Sequence, residues 1–169
     1  MRLTGLAGES ARPRNLAMHN EMPYSGHFDG PDHIFAFRIY FEDTDAGGVV
    51  YHANYLRYME RARSDMLRLC EIDLRGSMER GEGLYVAAEV TLKYRRPAKL
   101  DDDLMVVSRV VKIGGASVGI HQRVMRGAET VTDGMISLCF VGPNGRPKAQ
   151  PAKWREIFER VKGTEPADD

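Results

Sequence analysis

FEDTDAGGVVYHANYLRYMERARSDMLRLC (41–70) changes character halfway along. Its first part is polar and contains Gly47 and Gly48, which end regular structure and permit a tight backbone approach. Its second part, ANYLRYMERARSDMLRLC (53–70), is periodic. Tyr55, Met59, Ala62, Met66 and Leu69 recur at three- and four-residue steps, while Arg57, Glu60, Arg61, Ser64 and Arg68 fall largely elsewhere. That spacing predicts an amphipathic helix of about 17 residues, roughly 25 Å long.

Upstream, HIFAFRIYFED (33–43) alternates, with Phe35, Phe37, Ile39 and Phe41 on one face, the two-residue period of a strand. Downstream of a polar link (71–83), LYVAAEVTLKYRRP (84–97) carries Val86, Ala88, Val90 and Leu92 in alternation and stops near Pro97. DLMVVSRVVKI (103–113), ASVGIHQRVMR (116–126) and ETVTDGMISLCFV (129–141) follow, separated by Gly114-Gly115 and Gly127-Ala128. Such short links favour hairpins and an antiparallel meander. AKWREIFERVK (152–162) places Trp154, Ile157, Phe158 and Val161 on one stripe and predicts a short terminal helix. Strand, long helix, four strands, short helix: this order predicts an α+β fold with one sheet against one long helix. One helix covers only part of a sheet face, so leftover surface and open edges predict a dimer that extends the sheet.

The 169 residues suit one domain. Charge balances, with 24 Lys plus Arg against 24 Asp plus Glu, so the basic excess expected of a nucleic-acid or anionic-membrane binder is missing. No apolar run approaches the roughly 20 residues that span a bilayer. Cys70 and Cys139 cannot make a disulfide framework and fit no zinc-ligand spacing, which points to a reducing, cytoplasmic setting. Residues 1–32 lack periodicity and the continuous apolar core of a secretory signal, and Glu9 speaks against an organelle transit peptide. They read as a flexible extension, or as sequence upstream of alternative starts at Met18 or Met22. Residues 33–162 form the domain, and 163–169 a polar tail.

The chemistry concentrates in Asp43-Thr44-Asp45-Ala46-Gly47-Gly48-Val49-Val50-Tyr51-His52-Ala53. Two carboxylates and an imidazole lie in a turn that leads into a helix N-terminus, whose first amides are unpaired and favour negative charge. A carbonyl oxygen there would be polarised, and a tetrahedral oxyanion stabilised more. Asp45 could then serve as a base for water or attack the carbonyl itself, with His52 positioning the acyl group or water or sharing the proton transfer. Three plainer readings stand beside this one. Asp-Thr-Asp before glycines is common turn chemistry, the pair could hold a divalent cation although no further acidic cluster lies nearby, and His52 could be a hydrogen-bonded structural residue. Lys93, Arg95, Arg96 and Lys99 form a basic cluster, and Lys112 precedes the Gly114-Gly115-Ala116-Ser117 turn, where amides and charge could hold phosphate, although residue by residue a solvated surface face is the plainer reading of both. His121 reads as a strand residue, while His19, His27 and His33 lie in or beside the extension and are given no role. Cys70 and Cys139, without an evident base, read as inert thiols.

FEDTDAGGVVYHANYLRYMERAR resembles the signature of hot-dog-fold acyl-CoA thioesterases. The likeness extends from about Phe35 to about Arg160, including VTLKYRRPAKLDD. The segment looks like the 4-hydroxybenzoyl-CoA thioesterase-like branch and, within it, the subgroup associated with the Tol–Pal system. The resemblance implies a long helix wrapped by a curved antiparallel sheet, and hydrolysis of acyl-CoA, without cofactor or metal, at an interface between subunits of a homodimer or homotetramer. It places the essential carboxylate on Asp45, the subgroup's histidine on His52, and the oxyanion donor on a backbone amide of His52 or Ala53. Glu60 is the helix carboxylate that some relatives would use instead, and reads here as a solvated or interface residue. The resemblance favours Lys112 to Ser117, including Gly115, for the CoA nucleotide, with Arg95 as a further cation. An acyl carrier protein is a possible second partner. Rival readings are a hot-dog hydratase or dehydratase and a non-catalytic acyl-carrier or Tol–Pal adaptor.

Overall fold

Two periodicities meet in this chain, and they divide it between one helix and one sheet. The computed structural model describes residues 23–164; the expectations for residues 1–22, His19 among them, and for 165–169 lie outside the described residues. Six antiparallel strands run β1 (His27–Asp29), β2 (Asp32–Arg38), β3 (Leu84–Tyr94), β4 (Asp103–Ile113), β5 (Ser117–Arg126) and β6 (Glu129–Val141). Across the sheet their order is β1-β2-β4-β5-β6-β3. Three helices complete the fold: α1 (Asn54–Leu69), α2 (Leu74–Glu79) and α3 (Ala152–Val161). This is the α+β, helix-in-sheet arrangement that the periodicities predict. No described helix is long and apolar enough to cross a membrane.

α1 lies on one sheet face with Tyr55, Met59, Ala62 and Met66 buried, each large side chain worth on the order of 1.5–3 kcal/mol. It meets Val106, Val110, Val118, Ile120, Val124, Ile136 and Leu138 of the sheet in one core. Leu69 departs from the expected stripe and is 41% exposed, because the helix ends there and the chain turns away. Trp154, Ile157 and Phe158 of α3 close the same core, with Trp154 edge-on to Phe140.

Buried polar groups fix how helix and sheet sit. Gln122 of β5 donates from Nε2 to the Met59 carbonyl (3.1 Å) and to Ser108 Oγ (2.8 Å), while its Oε1 accepts from Arg63 (2.6 Å). All three side chains are buried, so each bond is made where water cannot replace it. A second tie joins β2 to α1: His33 Nε2 lies 2.9 Å from Asp65 Oδ2, and both side chains are buried. Asp65 also accepts from the Gly26 amide (2.8 Å) and Ser25 Oγ (3.2 Å). A Cβ on Gly26 would stand 2.3 Å from the Ile34 carbonyl oxygen, so only glycine allows this approach.

Several expectations are corrected here. The strand expected over 33–43 ends at Arg38, because Asp43 Oδ2 accepts from the Tyr40 amide (2.8 Å) and folds Phe41–Asp43 into a 3₁₀ turn, leaving Phe41 83% exposed. The link 71–83 contains α2, capped by the Asp73 side chain on the Gly76 amide. Residues assigned to the extension supply β1, which pairs with β2 in the register His27↔Ile34. His33 is a fully buried partner of Asp65 rather than a residue without a role. The even alternation of β3 is broken at a bulge between Ala87 and Glu89. Because directly opposed residues share a face, Val86, opposite Cys139, and Val90, opposite Ile136, point to different sides. Both are substantially exposed on this edge strand.

Burial pushes the His33 imidazole below its ordinary range, with Asp65 opposing the shift. A base whose folded-state pKa is depressed favours the native state fully above its unfolded value and loses that contribution as pH falls below about 6.5. The melting temperature should therefore drop between pH 7 and 5, and His33→Gln should flatten that dependence while lowering stability at pH 7. Thermal melts across this range provide the check.

Candidate active site

The loop between β2 and α1 is a small hairpin closed by an isolated bridge between Thr44 and Val50. The Asp45 amide donates to the Val49 carbonyl (2.9 Å), and the Gly48 amide donates to the Asp45 carbonyl (3.0 Å). Gly48 has φ of +72°, a conformation that costs glycine little. Asp45 Oδ1 accepts from the Gly47 amide at 2.8 Å, while its side chain is exposed. Turn chemistry thus does hold this carboxylate, through one oxygen. Oδ2 has no protein partner among the described residues.

One backbone oxygen ties this loop to the helix. The Asp43 carbonyl accepts from the Tyr51 amide (2.9 Å) and from Asn54 Nδ2 (2.9 Å). Asn54 is buried and is the first residue of α1. On the other side, the Val50 amide donates to the Ala98 carbonyl (2.8 Å), anchoring the loop to the segment after β3. Asn54 is a positioning residue that sequence reasoning did not single out. The signal available was an amide side chain opening a helix directly after the histidine, at a place where it can reach back to a turn.

The helix entrance carries the donors. Ala53 occupies the cap position without a side-chain cap, and the Asn54 amide donates to the Tyr51 carbonyl (2.9 Å). The amides of His52 and Ala53 make no hydrogen bond among the described residues. The His52 carbonyl accepts from the Tyr94 hydroxyl (3.1 Å), and the exposed His52 ring lies beside Tyr51 (4.5 Å) and Tyr94 (6.4 Å between ring centres). His52 and the free amides thus lie at the start of α1, and Asp45 lies seven residues earlier on the exposed loop that leads into it. The Tyr58 hydroxyl is buried close to the Asp43 side chain. Burial first, then the nearby Asp43 carboxylate, push its phenol well above the ordinary range.

The remaining candidates sort by position. Glu60 is exposed and bonded to Arg63 and Ser64, in keeping with a solvated helix residue. Lys112 is exposed on β4 opposite Gly119, beside a hairpin in which the Gly114 amide donates to the Ser117 carbonyl (2.8 Å). Buried Gln150 clasps that hairpin, donating from its amide to Gly115 O (3.0 Å) and from Nε2 to Gly114 O (2.6 Å) and Ser117 O (3.1 Å). Arg95 sits at the other end of the sheet. Its amide donates to Val131, whereas Ser117 pairs with Cys139, a separation of eight residues along β6 or roughly 25 Å. Within one chain, Arg95 follows Tyr94, whose hydroxyl reaches His52, whereas Lys112, Gly115 and Ser117 lie at the opposite end of the sheet. The Arg95 guanidinium is paired with Asp133 (3.2 Å), which also meets His121 Nε2 (2.7 Å). Burial would raise the Asp133 carboxyl, but His121 and Arg95 outweigh it and hold it below the ordinary range. Burial pushes the Cys70 thiol up, which suits an inert thiol.

A long helix held against a six-stranded antiparallel sheet is the hot-dog arrangement. Residues 47–132 match the thioesterase superfamily model. The chain is 36% identical to the acyl-CoA thioesterase YbgC of Haemophilus influenzae over 129 residues, covering 76% of this chain and 95% of that protein. It is 35% identical to the acyl-CoA thioester hydrolase YbgC of Escherichia coli O6:H1, covering 68% and 86% respectively. Among solved structures, a probable thioesterase from Bartonella henselae matches with a TM-score of 0.65 and 30% identity, over 71% of this chain and 99% of that one. The chain belongs to the thioesterase superfamily.

Asn54→Ala removes a buried donor and leaves the Asp43 carbonyl with one partner. The variant should lose about 1–2 kcal/mol of stability, read from urea unfolding, and should lower turnover because the loop loses its tie to α1.

Proposed function

We propose that this protein hydrolyses acyl-CoA thioesters to a free acid and CoA, with Asp45 as the working carboxylate. The observation that carries this reading is the placement of Asp45: one oxygen is held by the Gly47 amide, the other is open to a guest, and the next element in the chain presents unpaired amides. A thioester carbonyl lodged against the amides of His52 or Ala53 would be polarised, and the tetrahedral oxyanion would gain more than the ground state. Asp45 then either takes a proton from an attacking water or attacks the carbonyl carbon itself. In both cases the C–S bond breaks, the thiolate leaves and takes a proton, and water supplies the new oxygen of the acid. His52, exposed at the same entrance, positions the acyl group or the water. The names of the Haemophilus and Escherichia relatives support acyl-CoA as the substrate class.

The site is completed by a second copy. β3 forms one edge of the sheet, with Val86 and Val90 exposed. A two-fold axis that pairs β3 with its copy antiparallel brings the Leu84 end of one strand to the Tyr94 end of the other, since the strand is roughly 33 Å long. In the partner, the Leu84 end neighbours Val141 and Cys139, and through them Ser117. The hairpin carrying Lys112, Gly115 and Ser117 thereby approaches the Asp45 surface of the other subunit, where a cation and turn amides suit the CoA phosphates. The unpaired thiols of Cys70 and Cys139 support a reducing, cytoplasmic setting. The motif FEDTDAGGVVYH supports placement in the 4-hydroxybenzoyl-CoA thioesterase-like branch and its Tol–Pal-associated subgroup.

Asp45→Asn keeps the size and the Gly47 contact but removes the base. It should cut thiol release from acyl-CoA by about 10²- to 10⁴-fold with folding intact; turnover near wild type would overturn the role of Asp45. Val90→Arg places a charge on the β3 edge. Sedimentation should show a monomer, with thiol release reduced at least about tenfold, as expected when misplacement of site groups is costly. A fully active monomer would overturn the shared site.

A further inference from the structure

The two amides at the start of α1 belong to successive peptide units, and each unit is gripped at its carbonyl end. The Tyr51–His52 unit is held within the turn itself, where the Tyr51 carbonyl accepts from the Asn54 amide (2.9 Å). The His52–Ala53 unit is held from outside: its carbonyl accepts from the hydroxyl of Tyr94, the last residue of β3, at 3.1 Å. No described peptide bond is cis. In a planar trans unit the C=O and N–H point in opposite directions, so a bond that fixes the His52 carbonyl also aims the Ala53 N–H. A donor on the carbonyl polarises the unit and strengthens the N–H as a donor in turn.

From this geometry we infer that Tyr94 is a positioning residue for thioester hydrolysis: its hydroxyl sets the direction and donor strength of the Ala53 amide. Its ring serves the same end. It packs edge-on against His52 (6.4 Å) and against Tyr55 (5.6 Å) of α1, so the hydroxyl is delivered from a ring that the helix already braces. Tyr94 is nevertheless half exposed, at 51%, so its bond to His52 lies at the protein surface. The inference rests on the acyl-CoA thioesterase reading above.

Tyr94→Phe removes the hydroxyl and keeps the ring, and two readouts apply to the full chain. In solution NMR the Ala53 amide should change its chemical shift and exchange faster with solvent, while amides in β4 and β5 stay put. In a thiol-release assay kcat should fall about tenfold, less than the 10²–10³ that follows outright loss of an oxyanion donor. KM should stay within about twofold, because an interaction made chiefly in the transition state leaves substrate binding alone. An unmoved Ala53 amide overturns the inference, as does an unchanged kcat in an otherwise active enzyme. A rise confined to KM also overturns it, since that would make Tyr94 a binding contact. Wild-type protein that releases no thiol from any acyl-CoA fails earlier, sinking the thioesterase reading and the role of Tyr94 with it. Active wild type with fully active Tyr94→Phe removes Tyr94 alone.

Discussion

The carbonyl oxygen of Asp43 is the point on which the site hangs. It receives the Tyr51 amide from the far side of the loop and the Asn54 side chain from the first turn of α1. Those two bonds decide that the loop doubles back onto the helix it leads into. Asp45 stands on that loop, exposed, between β2 and the start of α1. Without this double acceptance the glycine-rich turn would keep its internal Asp45–Val49 and Asp45–Gly47 bonds and its Val50 anchor on Ala98, but would lose its direct tie to α1. The proposed chemistry needs a carboxylate near a pair of amides, and this backbone oxygen ties the loop that carries the one to the helix that carries the other.

Rigidity elsewhere serves that requirement. α1 cannot slide along the sheet because Gln122 bonds its backbone at Met59 and its side chain at Arg63. It is pinned again near its far end by His33 and Asp65, where the segment carrying Gly26 also docks. Both contacts are polar and buried, so they select one packing rather than merely favouring contact. The apolar stripe supplies most of the driving force, and these few bonds supply the alignment.

Much of this was legible in the chain of letters. The runs 103–113 and 129–141 are strands over the same residues that alternate, and the long helix departs from its expected span by a residue at each end. The DTDAGG turn and the helix entrance were readable because both depend on local bonds between near neighbours. What escaped was set by distant partners. Phe41 continues an apolar alternation, yet a side-chain bond two residues on bends it out of the strand. β1 is three residues long and has no period to detect. The burial of His33, Arg63 and Gln122 follows from partners 32 to 63 residues away, which no spacing rule reports. The bulge at Ala88 flips the outward sense of β3 without altering its composition. Arg95 and Lys112 look equivalent as cations near strand ends, and only the register of β6 separates them.

The strand order has a temporal side. β3 is synthesised ahead of β4 and β5, yet in the finished sheet its neighbour within the chain is β6. On the ribosome it must wait for roughly 45 further residues, a delay on the order of 2–10 s at ordinary elongation rates. Gln150, which clasps the hairpin, emerges later still. A nascent chain is therefore without its completed sheet, and carries β3 as an unpaired strand, until β6 has been translated.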